Sequence, residues 1–227
     1  MGVRMVARVF VKPYEAEERL AALGLNSEIF QEAARSGKLA RSTSTPFHPK
    51  WYAGNVMYSN ALATMGELLS GAKAGWVRED PAGHPLVVNH RRKIALAVAS
   101  SDVNTGNGDL NHPPSTRPAK GIRTEEAVDE NEWLLFPDMF TADHSRHELA
   151  GYEFWWLLMH PDEAANELRL ELSRGIRLNK ERSIASWSER IMLASQPLDE
   201  GGIPIVGEPN GDGPQSGEYD VDVRKLG

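Results

Sequence analysis

Between residues 152 and 193 three strand-like segments follow one another with only two short breaks, and any fold for this chain has to be arranged around them. The first, Tyr152-Glu153-Phe154-Trp155-Trp156-Leu157-Leu158-Met159, is apolar on both faces except at Glu153, the pattern of a central strand covered on both sides. Trp155 and Trp156 then point to opposite faces. One of them belongs to the core, and the other is covered by a helix, stacks on a base or anchors a partner. His160-Pro161-Asp162-Glu163 predicts a turn, because proline cannot donate to a ladder and Asp competes for the backbone. Beyond it Leu168, Leu170 and Leu172 alternate with Arg169, Glu171 and Ser173, which predicts a half-buried strand in competition with a helix over residues 162–172. The third segment, residues 183–194, carries Ile184, Trp187, Ile191 and Leu193 off a single parity, so a bulge near residues 186–188 is expected.

The remaining segments are consistent with layers around that core. Val3, Met5, Ala7, Val9 and Val11 alternate as a first strand. Pro13 opens and Gly24 closes a short helix, and Ser27 caps a second one that carries Phe30, Ala33 and Ala34 and ends near Gly37. A third helix over residues 55–69 presents Met57, Ala61, Met65 and Leu68, with Gly71 as its stop. Asp80-Pro81-Ala82-Gly83 predicts a hairpin turn, and residues 93–99 alternate as another strand. A long polar loop over residues 100–122 precedes a helix capped by Thr124 and running to residue 132. The expected fold is α+β: an antiparallel sheet centred on residues 152–193, with the helices of the first 70 residues packed on one face. Residues 1–198 are expected to form a single domain. Residues 199–227 are expected to form an acidic Gly/Pro-rich tail, whose Tyr219, Val221 and Val223 can dock as an edge strand.

Composition narrows the function classes. The chain has no cysteine, which removes disulfides, thiolate metal sites and cysteine nucleophiles. No apolar run approaches the roughly 20 residues of a bilayer span, and the N-terminus has no signal-peptide pattern. A soluble cytoplasmic protein without a membrane partner is expected. The net charge of −7 is concentrated in the tail, which carries −5 and leaves the body at −2. Two basic stretches stand out in that body: Arg91, Arg92, Lys93, Arg117, Lys120 and Arg123, then Arg174, Arg177, Lys180, Arg182 and Arg190.

The glycine- and asparagine-rich run that contains Asn104 and Asn107 brings backbone amides and basic side chains together, which suits phosphate. No dinucleotide fingerprint, P-loop or calcium-loop spacing is present, since the position for the bidentate Glu falls on Pro113. No G-x-S-x-G elbow occurs. The expected function is therefore a non-enzymatic binding protein of a larger assembly, with no cofactor. Nucleic acid or a phosphate-bearing partner would be held by Arg91, Arg92, Lys93, Asn104, Asn107, Arg117, Lys120, Arg123, Arg174, Arg177, Lys180 and Arg182. Two alternatives remain open. Asp143, His144 and His147, with His160, have the ligand chemistry of a metal-dependent hydrolase, and the acidic tail suits a protein inhibitor of a basic site.

Overall fold

Alternating apolar residues produce a sheet with two buried faces. In the computed structural model, residues 7–71, 75–117, 119–139 and 148–198 are described. The strands are β1 (Arg8–Phe10), β2 (Trp76–Glu79), β3 (Leu86–Asn89), β4 (Ile94–Ser101), β5 (Thr116–Arg117), β6 (Glu153–Asp162), β7 (Glu167–Leu178) and β8 (Ile184–Pro197). They lie in the order β1-β8-β7-β6-β4-β3-β2, and β5 pairs with the far end of β4. The sheet is mostly antiparallel, with parallel pairing at β1–β8 and β4–β6. Three helices of the first 70 residues, α1 (Pro13–Leu23), α2 (Ser27–Ser42) and α3 (Tyr52–Gly71), cover one face, where Leu20, Phe30 and Met65 meet Trp155, Leu157 and Leu170. The helix α4 (Ile122–Leu135) covers the other face, where Ala127 and Val128 share a cluster with Trp156, Leu158 and Trp187. The protein is thus α+β with helices on both faces. Both Trp155 and Trp156 are fully buried, on opposite sides, and truncating either to Ala falls in the range of about 3–5 kcal/mol.

Local chemistry explains most boundaries. Pro13 starts α1, and Gly24 ends it in the left-handed region at φ 75°, where its N–H and that of Leu25 bond back to Ala21 O and Leu20 O. Asn26, rather than Ser27, caps α2, its side chain accepting the Ile29 N–H at 3.1 Å. The helix also passes Gly37 and continues to Ser42. At Gly37 the absence of a side chain lets α2 lie against α3; a Cβ there would sit 2.6 Å from the Met57 carbonyl oxygen. Gly37→Val is expected to lower stability by about 2–3 kcal/mol through overpacking, read as a lower urea midpoint at unchanged m-value. An unchanged midpoint would rule out the close approach.

Two further expectations change in the structure, and one is met. Pro161 does not end β6, which runs on to Asp162. Glu153 N donates to Lys93 O, so odd-numbered residues of β6 address β4, and Pro161 lies past the last β4 partner at Met159. Its missing N–H faces an edge with no strand. The helix α4 begins at Ile122 with Gly121 as its N-cap, so Thr124 is inside the first turn instead of capping it. The expected bulge appears as register shifts around Gly175, where Arg174 pairs Glu189 and Gly175 pairs Trp187. Of the first strand, Arg8–Phe10 lies within the described residues; the tail from residue 199 lies outside them.

Candidate functional site

The segment expected as a long polar loop, residues 100–122, is anchored to itself and to the sheet by hydrogen bonds. The Asp102 carboxylate accepts from Asn104 N and Ser115 N, both at 3.0 Å. Gly106 N donates to Glu171 Oε2 at 2.8 Å, Asp109 O accepts from Arg190 Nη1, and Trp187 Nε1 donates to Pro114 O. The loop therefore covers the polar side of β7 and β8, and Glu171, Ser173 and Arg190 are buried beneath it. The expected half-buried β7 is buried on both faces, because a segment distant in sequence covers the charged one.

Past this anchor the chain reaches β5 and then a bend where Lys120 meets Arg182 of the β7–β8 turn. Lys120 N donates to Arg182 O at 2.7 Å, and Arg182 Nε returns a bond to Lys120 O at 3.0 Å. Arg182, at φ 59°, also pairs with Glu125. The geometry joins the loop to the β7–β8 turn beside a cavity of about 860 Å³. Trp156 and the small Ala97 and Ala99 form one wall, Tyr58 and Trp51 of the α3 end form another, and Arg117 and Lys120 line the third. Ala97 is the register partner of Trp156, so a methyl group beside an indole leaves the depression.

Lys120 is half-buried, and burial pushes its amine down to about 8. Its Nζ is 3.3 Å from Arg117 O. Among the described residues neither Lys120 nor Arg117 forms an ion pair, whereas the neighbouring Arg123 and Arg182 are paired with Glu126 and Glu125. Trp51, which lines the cavity, is 63% exposed, and Phe47, four residues earlier, is 99% exposed. Between them His48 stacks on Tyr52 at 4.1 Å.

The other predicted residues lie elsewhere. Arg91, Arg92 and Lys93 sit at the opposite end of β4, roughly 25 Å away along an extended strand of this length. There Arg92 Nη1 donates to Ala22 O at the C-terminal end of α1. Asn107 Oδ1 accepts Asp109 N within the loop, and the Asn104 N–H is held by Asp102. Arg174 is buried, bonded to Glu153 and Asn131, with its ordinary value lowered first by burial. Arg177 pairs with Glu132 on α4, and Lys180 is exposed on the β7–β8 turn. Asp143, His144 and His147 lie outside the described residues. His160 hydrogen-bonds Ser101 O through Nδ1. Among the described residues there is no group of three or more His, Asp or Glu side chains placed to hold a metal, and no helix long and apolar enough to cross a membrane.

Of the aromatic walls, Trp156 stood out in the sequence, and Trp51 and Tyr58 did not. Trp51, just before α3, and Tyr58, within it, reach Arg117 and Lys120 only through the tertiary fold. Comparison with protein-family models, with curated proteins and with solved structures finds no match.

Proposed function

We propose that the protein is a binding protein for a phosphate-bearing aromatic ligand, a nucleoside phosphate held either as a free nucleotide or as the end of a single strand. The observation that carries this reading is Lys120, a half-buried cation with no ion pair among the described residues, beside Arg117 in a cavity walled by Trp156, Tyr58 and Trp51. A desolvated ammonium gains more from an anion than one in water does, because the local dielectric is lower. Indole and phenol rings offer the stacking surface that a base takes regardless of its identity. Exposed Trp51 would extend that surface for the following base of a strand. Work inside a larger assembly, with the strand presented by a partner, belongs to the same proposal.

The test is a titration of tryptophan fluorescence with pyrophosphate, a mononucleotide and a short single-stranded oligonucleotide. Binding is expected at low salt and weakens as salt rises. Lys120→Met is expected to weaken it by about 10- to 100-fold, the effect of losing a charged hydrogen bond. Affinity should also fall as the pH passes through about 8, because the free protein loses the Lys120 proton there while the complex needs it. A mononucleotide binding as tightly as the oligonucleotide identifies the free nucleotide as the ligand; the reverse order identifies the strand. No binding at low salt by any of the three, or binding indifferent to Lys120→Met, would overturn the proposal.

A further inference from the structure

The cavity opens at a break in the sheet. On one edge of β4, Leu96 is the last residue paired with β3 and Ser100 is the first paired with β5, so Ala97, Val98 and Ala99 have strand partners on the β6 side alone. The cause is visible in the sequence. Continuing the β3 register would bring Pro85 opposite Val98. Pro85 has no N–H to give to the ladder.

The direction of the backbone follows from two hydrogen bonds. Lys93 O accepts from Glu153 N of β6, and Ser101 O lies 3.1 Å from His160 Nδ1, also on the β6 side. Amide and carbonyl groups of successive strand residues point to opposite edges. Odd-numbered residues of β4 thus address β6, and Val98 turns its N–H and C=O to the gap, inside the wall of the cavity. A backbone donor and acceptor at a buried wall need partners.

We infer that the cavity reads a nucleobase through Val98, the donor and acceptor on the base edge completing the β4 ladder where β3 and β5 stop. This rests on the proposed function and specifies how the ligand is held. Each base carries a donor next to an acceptor on its pairing edge, so Val98 requires a base without selecting one. The gap favours a base over an extended peptide. It is three residues wide, about 10 Å, and is closed at both ends by β3 and β5, so a planar group enters where a continuing strand cannot. Ala97 and Ala99 leave that plane room beside Trp156.

The experiment compares AMP, N6,N6-dimethyl-AMP, ribose 5-phosphate and pyrophosphate by the same fluorescence titration, and follows the Val98 amide by NMR with each. Val98→Pro would remove the donor but endangers the strand, so the ligand edge is varied instead of the protein. AMP is expected to bind, with a shift of the Val98 amide. Ribose 5-phosphate and the dimethylated base, which lacks the N6 donor, are expected to bind about tenfold or more weakly. Equal affinity for AMP and its dimethyl form, or an unmoved Val98 amide, overturns base-edge reading while phosphate binding still stands. Equal affinity for AMP and ribose 5-phosphate overturns it in the same way. Failure of all four to bind removes the proposed function itself.

Discussion

Arg190→Met is expected to destabilise the protein by about 3–5 kcal/mol, the range for removing one member of a buried ion pair, and to lower its melting temperature by about 6–20 °C. Both side chains of the Arg190–Glu171 pair are completely buried. The guanidinium meets the carboxylate twice, Nε to Oε1 at 3.0 Å and Nη2 to Oε2 at 2.7 Å. The same carboxylate accepts from Ser173 Oγ at 2.6 Å and Gly106 N at 2.8 Å. Methionine fills much of the volume but leaves a carboxylate without a counter-charge under the loop. Combining it with Glu171→Leu should recover part of the loss, because the buried charge is then gone, although Gly106 N–H and the Ser173 hydroxyl lose their acceptor. Urea unfolding of the two single variants and the double variant measures this. A single variant within about 0.5 kcal/mol of the parent would show that the loop does not seal the pair.

The effect should extend to the cavity. Gly106 and Asp109 are held to the sheet by these two residues, and the chain runs from there to Arg117 and Lys120. Loosening the anchor should speed amide exchange over residues 102–116 and weaken phosphate binding in the same variant.

The contrast between β6 and β7 shows what the sequence carries. The double-sided apolar run of β6 and the alternating leucines of β7 are local patterns, so the centre of the sheet was legible, as were Pro13, Gly24 and the Asp80–Gly83 turn. The burial of Glu171 and Ser173 was not. Their cover is a loop more than fifty residues earlier, whose Asn and Gly content reads as solvent-facing. Parallel pairing of β4 with β6 was hidden for the same reason, since parity reports which face a residue takes and is silent on which strand lies beside it. At the site, Arg117 and Lys120 stood out as basic residues after a glycine-rich run. The gap at Val98 also left a trace in Pro85, though only the register shows that this proline would fall opposite that residue.

Asn131→Asp tests the other polar device of the interior, and its effect should depend on pH. Asn131 is fully buried on α4 and inserts its amide where β6 and β7 separate. Nδ2 donates to Phe154 O at 2.7 Å and Gly175 O at 2.8 Å, and Oδ1 accepts Phe154 N at 2.9 Å. These bonds replace the ladder beyond the last β6–β7 pair, Trp156 with Ser173. Aspartate keeps the acceptor and puts a second oxygen against two carbonyls. An ionised carboxylate there repels both, while the protonated form can donate to one. Arg174 Nε, 3.3 Å from Oδ1, offsets the repulsion only in part because its Nη1 is already held by Glu153. The folded state therefore binds the new proton more tightly than the unfolded chain, whose value is about 3.9. Such a raised group gives its full stability below the unfolded value and loses it as the pH rises through the folded one. The deficit against the parent protein should be smallest near pH 4 and grow to about 3 kcal/mol at pH 7, the scale of unsatisfied buried carbonyls. Urea midpoints of both proteins from pH 4 to 8 decide it: a difference that stays constant or shrinks with rising pH would mean that the amide of Asn131 is not what joins the two strands.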